Sequence, residues 1–97
     1  MVKKIEWSEI ALADRLGILE YWEKRNGNKT YCQKLDKAIR KAVKTLAKNN
    51  FIGKKTDVEN IRFTTCAKYL IFYRVEKEMI QIVRIWDSRR DPEDLEF

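Results

Sequence analysis

At 97 residues the chain has room for one modest core and reads as a single domain spanning residues 1–97. Its 21 Lys and Arg outnumber 15 Asp and Glu, and the resulting +6 favours a polyanion or an acidic protein as partner. The lack of histidine and the presence of just two cysteines, Cys32 and Cys66, exclude a zinc site and a disulfide framework and remove the commonest acid–base group.

No cofactor is expected and no metal. The opening stretch MVKKIEWSEI lacks the apolar core of a signal peptide. No run reaches membrane-spanning length, so the expected location is the cytoplasm, with reduced thiols and no membrane partner.

Residues 2–7 place Ile5 and Trp7 on one face of a short edge strand. Ser8 stands where an N-cap belongs. From Glu9 to Arg25 the period is helical. Leu12, Leu16 and Leu19 form one stripe, with Ala11, Ile18 and Trp22 beside it. Together they span an arc wider than one packing surface requires. Asn26-Gly27-Asn28 ends this helix, Gly27 suiting a left-handed C-terminal residue.

A second helix is expected from about Lys29 to Asn49. Tyr31, Leu35, Ala38, Ile39, Ala42 and Leu46 line its apolar side. Lys34, Lys37, Lys41, Lys44 and Lys48 line the opposite side. That stripe is either a solvated face, the commoner case, or a seat for phosphate or an acidic segment. Residues 50–60 read as a connector whose Phe51 and Ile52 tuck under the sheet.

Three apolar strands follow, Ile61–Cys66, Tyr69–Glu76 and Met79–Trp86, with a charged turn around Lys77. The middle strand is apolar at both parities: Tyr69, Ile71, Tyr73 and Val75 on one face, Leu70 and Phe72 on the other. Strict alternation in the last strand puts Ile80, Ile82, Arg84 and Trp86 on one side, and Met79, Gln81, Val83 and Ile85 on the other. Asp91-Pro92-Glu93-Asp94 resembles a helical first turn, which Leu95 and Phe97 could anchor. The expected class is α+β: an N-terminal strand, an antiparallel helical hairpin, a three-stranded antiparallel meander forming one small twisted sheet, and a short C-terminal helical turn.

Three segments, Tyr69-Leu70-Ile71-Phe72-Tyr73-Arg74-Val75-Glu76, Ile80-Gln81-Ile82-Val83-Arg84-Ile85-Trp86 and Ser88-Arg89-Arg90-Asp91-Pro92, together with the element order, resemble the RelE/ParE superfamily of toxins. The resemblance implies the toxin half of a two-gene toxin–antitoxin pair, neutralised by a cognate antitoxin. One branch inhibits DNA gyrase without a nuclease site. Another consists of ribosome-dependent endoribonucleases that cut mRNA. A non-toxic partner-binding module of the same fold is a third reading.

RNA cleavage of this kind needs a charge clamp on the phosphate and a proton donor. If the chain is a nuclease, Lys54, Lys55, Arg62, Arg84 and Arg89 are the candidates. The His or Tyr that nuclease members carry near the C-terminus is missing, since no Tyr follows Tyr73. Leu70 stands where they often have Arg. The wording is closer to the ParE-like branch, so Arg84, Trp86, Arg89 and Arg90 become candidates for target binding. Each has a plainer role as well: Arg84 in a structural salt bridge, Trp86 in the core or its rim, and Arg89 and Arg90 paired with Asp87 and Asp91. For the antitoxin, the apolar candidates are Leu12, Leu16, Leu19, Trp22, Leu35 and Ile39. A homodimer or a toxin–antitoxin hetero-oligomer is the expected assembly.

Overall fold

The computed structural model describes residues 2–95 and 97, and of Pro92 the backbone only. A short strand, β1 (Lys4–Trp7), leads into helix α1 (Glu9–Asn26). Ser8 caps that helix, its Oγ accepting from the Ala11 amide at 3.0 Å. Gly27 ends it at φ 69°, a conformation that costs glycine little. Helix α2 (Thr30–Lys48) follows at once. Trp22 meets Tyr31 near the link, and Arg15 meets Asp36 farther from it, so the two helices run antiparallel. Among the described residues no helix is long and apolar enough to cross a membrane.

The amphipathic pattern of α2 is sharp. Cys32, Leu35, Ile39, Val43, Leu46 and Ala47 are buried. Lys34, Lys37, Lys41, Lys44 and Lys48 are all exposed, and so is Ala38, which the sequence pattern had placed on the apolar side.

The sheet corrects the expected three-stranded antiparallel meander. It has five strands in the order β1-β5-β4-β3-β2 and is mixed. The additional strands are β1 and a two-residue β2 (Lys54–Lys55). They flank β3 (Ile61–Cys66), β4 (Tyr69–Val75) and β5 (Met79–Asp87). β1 lies parallel to β5, Lys4 opposite Met79 and Trp7 opposite Ile82. That pairing joins residues about 75 apart through backbone groups, which hydropathy cannot signal. β2 is too short for any periodicity, and it forms because Lys54 and Lys55 lie opposite Phe63 and Arg62. The expected C-terminal helical turn is a single 3-10 turn, Pro92–Asp94.

A second correction concerns the faces of β5. The ladder with β4 shifts register between Phe72, opposite Arg84, and Tyr73, opposite Ile82. Val83 is therefore an extra residue, and side-chain parity inverts beyond it. Ile85 joins Ile80 and Ile82 in the cluster under the helices, while Val83 and Trp86 join Phe72 on the opposite face. The sheet thus carries two clusters. The larger lies between sheet and helices, and the smaller, Ile61, Phe72, Val83 and Trp86, is packed by Leu95. Phe51 and Ile52, expected beneath the sheet, are exposed.

Candidate functional site

β1 stops pairing at Ile82, so the outer edge of β5 beyond that point falls to α1. Ser8 Oγ donates to the Val83 carbonyl at 3.1 Å, and Asp14 Oδ2 accepts the Ile85 amide at 3.0 Å. The Asp14 carboxylate also receives Arg84 by two contacts, Nε to Oδ2 at 2.8 Å and Nη2 to Oδ1 at 3.2 Å. Two planar groups meeting by two contacts make a strong and directional pair. Arg84 and Asp14 are mostly buried, at 15% and 17% side-chain exposure, so Arg84 is engaged in tying α1 to β5.

Trp86 is buried. Arg84 lies 5.3 Å and Arg90 4.2 Å from its ring centroid, close enough for cation–π attraction. Its Nε1 is buried without an acceptor. Arg89 turns back onto Asp87, Nη2 to Oδ2 at 2.8 Å. That hydrogen bond, opposed in part by burial, lowers the Asp87 carboxyl below its ordinary value and raises Arg89 above its own.

The other candidate cations lie at the opposite side of the sheet. Lys54, Phe63, Phe72 and Arg84 are successive cross-strand partners, so Lys54 and Arg84 end one lateral row. Three strand spacings separate them, about 14 Å. Phe63 and Phe72 fill the interval with rings 5.7 Å apart. Arg62 donates to the carbonyls of Gly53 at 2.9 Å and Phe51 at 3.4 Å and lies over the Phe51 ring. Lys55 lies opposite Arg62. The five residues weighed as a phosphate clamp are thus spread from β2 to the end of β5.

Tyr69 and Tyr73 are buried, and burial raises both phenols above their ordinary value. The Tyr69 hydroxyl accepts from Trp22 Nε1 at 2.7 Å, and the Tyr73 hydroxyl accepts from the Gly53 amide at 2.9 Å. Both are structural links between segments.

The apolar candidates divide. Leu35 and Ile39 are core residues, 3% and 0% exposed, and Trp22 packs against the same core. Leu12 and Leu16 stand out from α1 at 47% and 60% exposure, and with Leu19 and Arg15 they line a shallow groove. Ile10 and Tyr21, not singled out from the sequence, are exposed on the same helix. The wide apolar arc of α1 was the signal for them, since one packing surface cannot cover it.

A family model described as "ParE toxin of type II toxin-antitoxin system, parDE" matches residues 5–92. Among solved structures, the chain is similar to one titled "Chromosomal ParDE TA system from P. aeruginosa". The TM-score is 0.80 at 25% identity, over 91% of this chain and 98% of that one. Its fold is also similar to that of a chain in the E. coli DinJ-YafQ toxin-antitoxin complex. There the TM-score is 0.57 at 9% identity, over 90% of this chain and 93% of the other. A search of curated protein sequences gives no match.

Proposed function

Because the chain belongs to the ParE toxin family of type II toxin–antitoxin systems, we propose that it acts by binding. In this reading it inhibits an essential target such as DNA gyrase, and a cognate antitoxin neutralises it. One observation carries the reading: three of the five basic residues that are candidates for RNA cleavage are engaged separately. Arg84 is held by Asp14, Arg89 by Asp87, and Arg62 by the carbonyls of Phe51 and Gly53. A phosphoryl-transfer transition state needs such groups converged on one atom. A target surface needs only a fixed array, for which the exposed Arg89 and Arg90 just beyond β5 are the candidates, with the buried Trp86 ring supporting Arg90 from beneath.

The antitoxin reading rests on α1. An apolar stripe such as Leu12, Leu16 and Leu19 costs solubility on a free domain unless a partner covers it. An amphipathic helix laid along that stripe is the mode of recognition it fits. The +6 charge favours an acidic antitoxin.

The test combines two assays on the purified chain, DNA supercoiling by gyrase and mRNA cleavage on translating ribosomes. Loss of supercoiling without cleavage is expected, reversed by co-purified antitoxin. Leu16→Glu is expected to keep the inhibition and weaken reversal by roughly a hundredfold, the cost of burying a charge in an apolar contact. Codon-positioned cuts with normal gyrase activity would replace this reading with the endoribonuclease one. Activity in neither assay would leave a non-toxic binding module.

A further inference from the structure

We infer that the outer face of α2 is a docking face for the phosphate backbone of duplex DNA, engaged without regard to base sequence. Thr30–Lys48 carries six Lys and Arg against one acid, Asp36, a net +5. The rest of the chain carries 15 basic against 14 acidic side chains and is close to neutral. The excess charge is thus concentrated on one helix rather than spread over the surface. Lys34, Lys37, Lys41, Lys44 and Lys48 are all exposed. Helical geometry puts them within an arc of about 80° and along about 21 Å of axis. Among the described residues none of the five has a carboxylate within ion-pair distance. Asp36 is taken by Arg15 and Arg40. Successive lysines are three or four residues apart, a spacing at which like charges repel and destabilise a helix. The first turn holds no acid, and the N-cap Lys29 makes no side-chain hydrogen bond, so the start of the helix gives no electrostatic relief. A polyanion laid along the stripe would supply it.

The composition of this face selects the occupant. A lipid surface takes an amphipathic helix by its apolar side, and that side of α2, with Leu35, Ile39, Val43 and Leu46, is buried in the core. A protein partner is held by large apolar and aromatic anchors, and a single nucleic-acid strand by stacked aromatic rings. The exposed side chains of α2 include Ala38 and no aromatic. A DNA duplex needs neither anchor. It presents one negative charge per about 1.7 Å of axis, and lysines meet its phosphates as point charges while counterions are released. Choosing DNA over another duplex rests on the gyrase reading, since that enzyme acts on duplex DNA. The binding itself is measured on DNA alone, so it can fail while inhibition of supercoiling holds, and hold while inhibition fails.

The probe is a fluorescent DNA duplex of mixed sequence, titrated with the full chain at several salt concentrations and followed by anisotropy. Five phosphate contacts predict that log K falls with log salt at a slope of about −4.5, each contact adding about 0.9. Lys37→Gln, Lys41→Gln and Lys44→Gln together are expected to weaken binding at low salt by roughly tenfold or more and to flatten the slope by about 2.7. Arginine at the same three positions is expected to keep both affinity and slope. A control variant, Lys24→Gln, Lys68→Gln and Lys77→Gln, removes the same charge from exposed positions outside α2 and is expected to leave the slope unchanged. A second duplex of unrelated sequence is expected to bind equally well. Should the triple variant fail to fold, Lys41→Gln alone takes its place, with a slope flatter by about 0.9. No binding, an unchanged slope in the stripe variant, or an equal loss in the control would overturn the inference. So would tighter binding to an RNA duplex of the same sequence, or displacement of the DNA by polyglutamate at equal charge.

Discussion

Gly53 illustrates how tightly single residues are constrained in this chain. A Cβ there would lie 2.6 Å from the Phe63 carbonyl oxygen and 2.6 Å from the Tyr73 hydroxyl, and the first of these is backbone that cannot swing aside. Gly53→Ala is expected to destabilise by about 2–4 kcal/mol, from overpacking and loss of the Gly53–Tyr73 hydrogen bond. Urea unfolding with an unchanged slope would measure it. Tyr73→Phe removes only the acceptor and should cost about 1–2 kcal/mol. The two changes together should cost less than their sum, since they break the same contact. Neither constraint was legible in the sequence, where Gly53 fell within the connector of residues 50–60 and Tyr73 was one of four residues on a face of the middle strand. Asp14 was missed for the same reason. Its position on α1 gives no sign that it receives both Arg84 and the Ile85 amide of a strand 70 residues away.

At the scale of elements, α1 performs two tasks with different outcomes for prediction. Its caps, Ser8 and Gly27, followed from local rules, whereas its core face did not: Trp22, a candidate for the antitoxin, packs with Ala11 and Ile18 against the core. Its outward leucines were legible as surplus apolar residues, but not which of them stayed accessible. Leu35 and Ile39 of α2 carried the same signal and proved to be core. Gly17 offers a test of α1 itself. A Cβ there would meet nothing within 4 Å, and the position is interior to the helix. Gly17→Ala is therefore expected to stabilise by about 0.5–1 kcal/mol, read as a higher melting temperature. A loss would show that Gly17 meets constraints beyond helix propensity. β5 shows the opposite limit. Its composition announced a strand, yet one extra residue at Val83 reassigned Ile85 and Trp86 to the other faces. A bulge is a property of two paired strands, and periodicity along one of them cannot contain it.

For the whole molecule, ionisation should bound stability on both sides. Arg89 holds the Asp87 carboxyl below its ordinary 3.8. A group depressed on folding contributes stability that is whole above its unfolded value and lost as pH falls through the folded one. Burial raises Cys66, Tyr69 and Tyr73 above their ordinary 9.0, 10.0 and 10.0. Their contribution is whole below those values and lost as pH rises through the folded ones. Unfolding midpoints should therefore level off between these limits and fall on either side. Arg89→Ala should narrow its deficit against the unaltered chain as pH drops below about 3.8, where the carboxylate that Arg89 pairs with is protonated. Tyrosinate absorbance should show the Tyr69 and Tyr73 phenols titrating late. A deficit that persists unchanged in acid would remove Asp87 from the account.

The sequence by itself determined what local chemistry dictates: two helices, the first with its caps, the apolar strands from Ile61 onward, a basic surface and the words of a toxin family. Those depend on spacing within one segment, on capping side chains and on net charge. Only the tertiary structure decided the five-stranded mixed sheet, the parallel pairing of β1 with β5, the inverted faces of β5 and the separation of the arginines. Each of these arises from contacts between segments far apart in the chain. There, backbone hydrogen bonds and the choice of carboxylate partner decide the outcome, and neither leaves a period in the sequence.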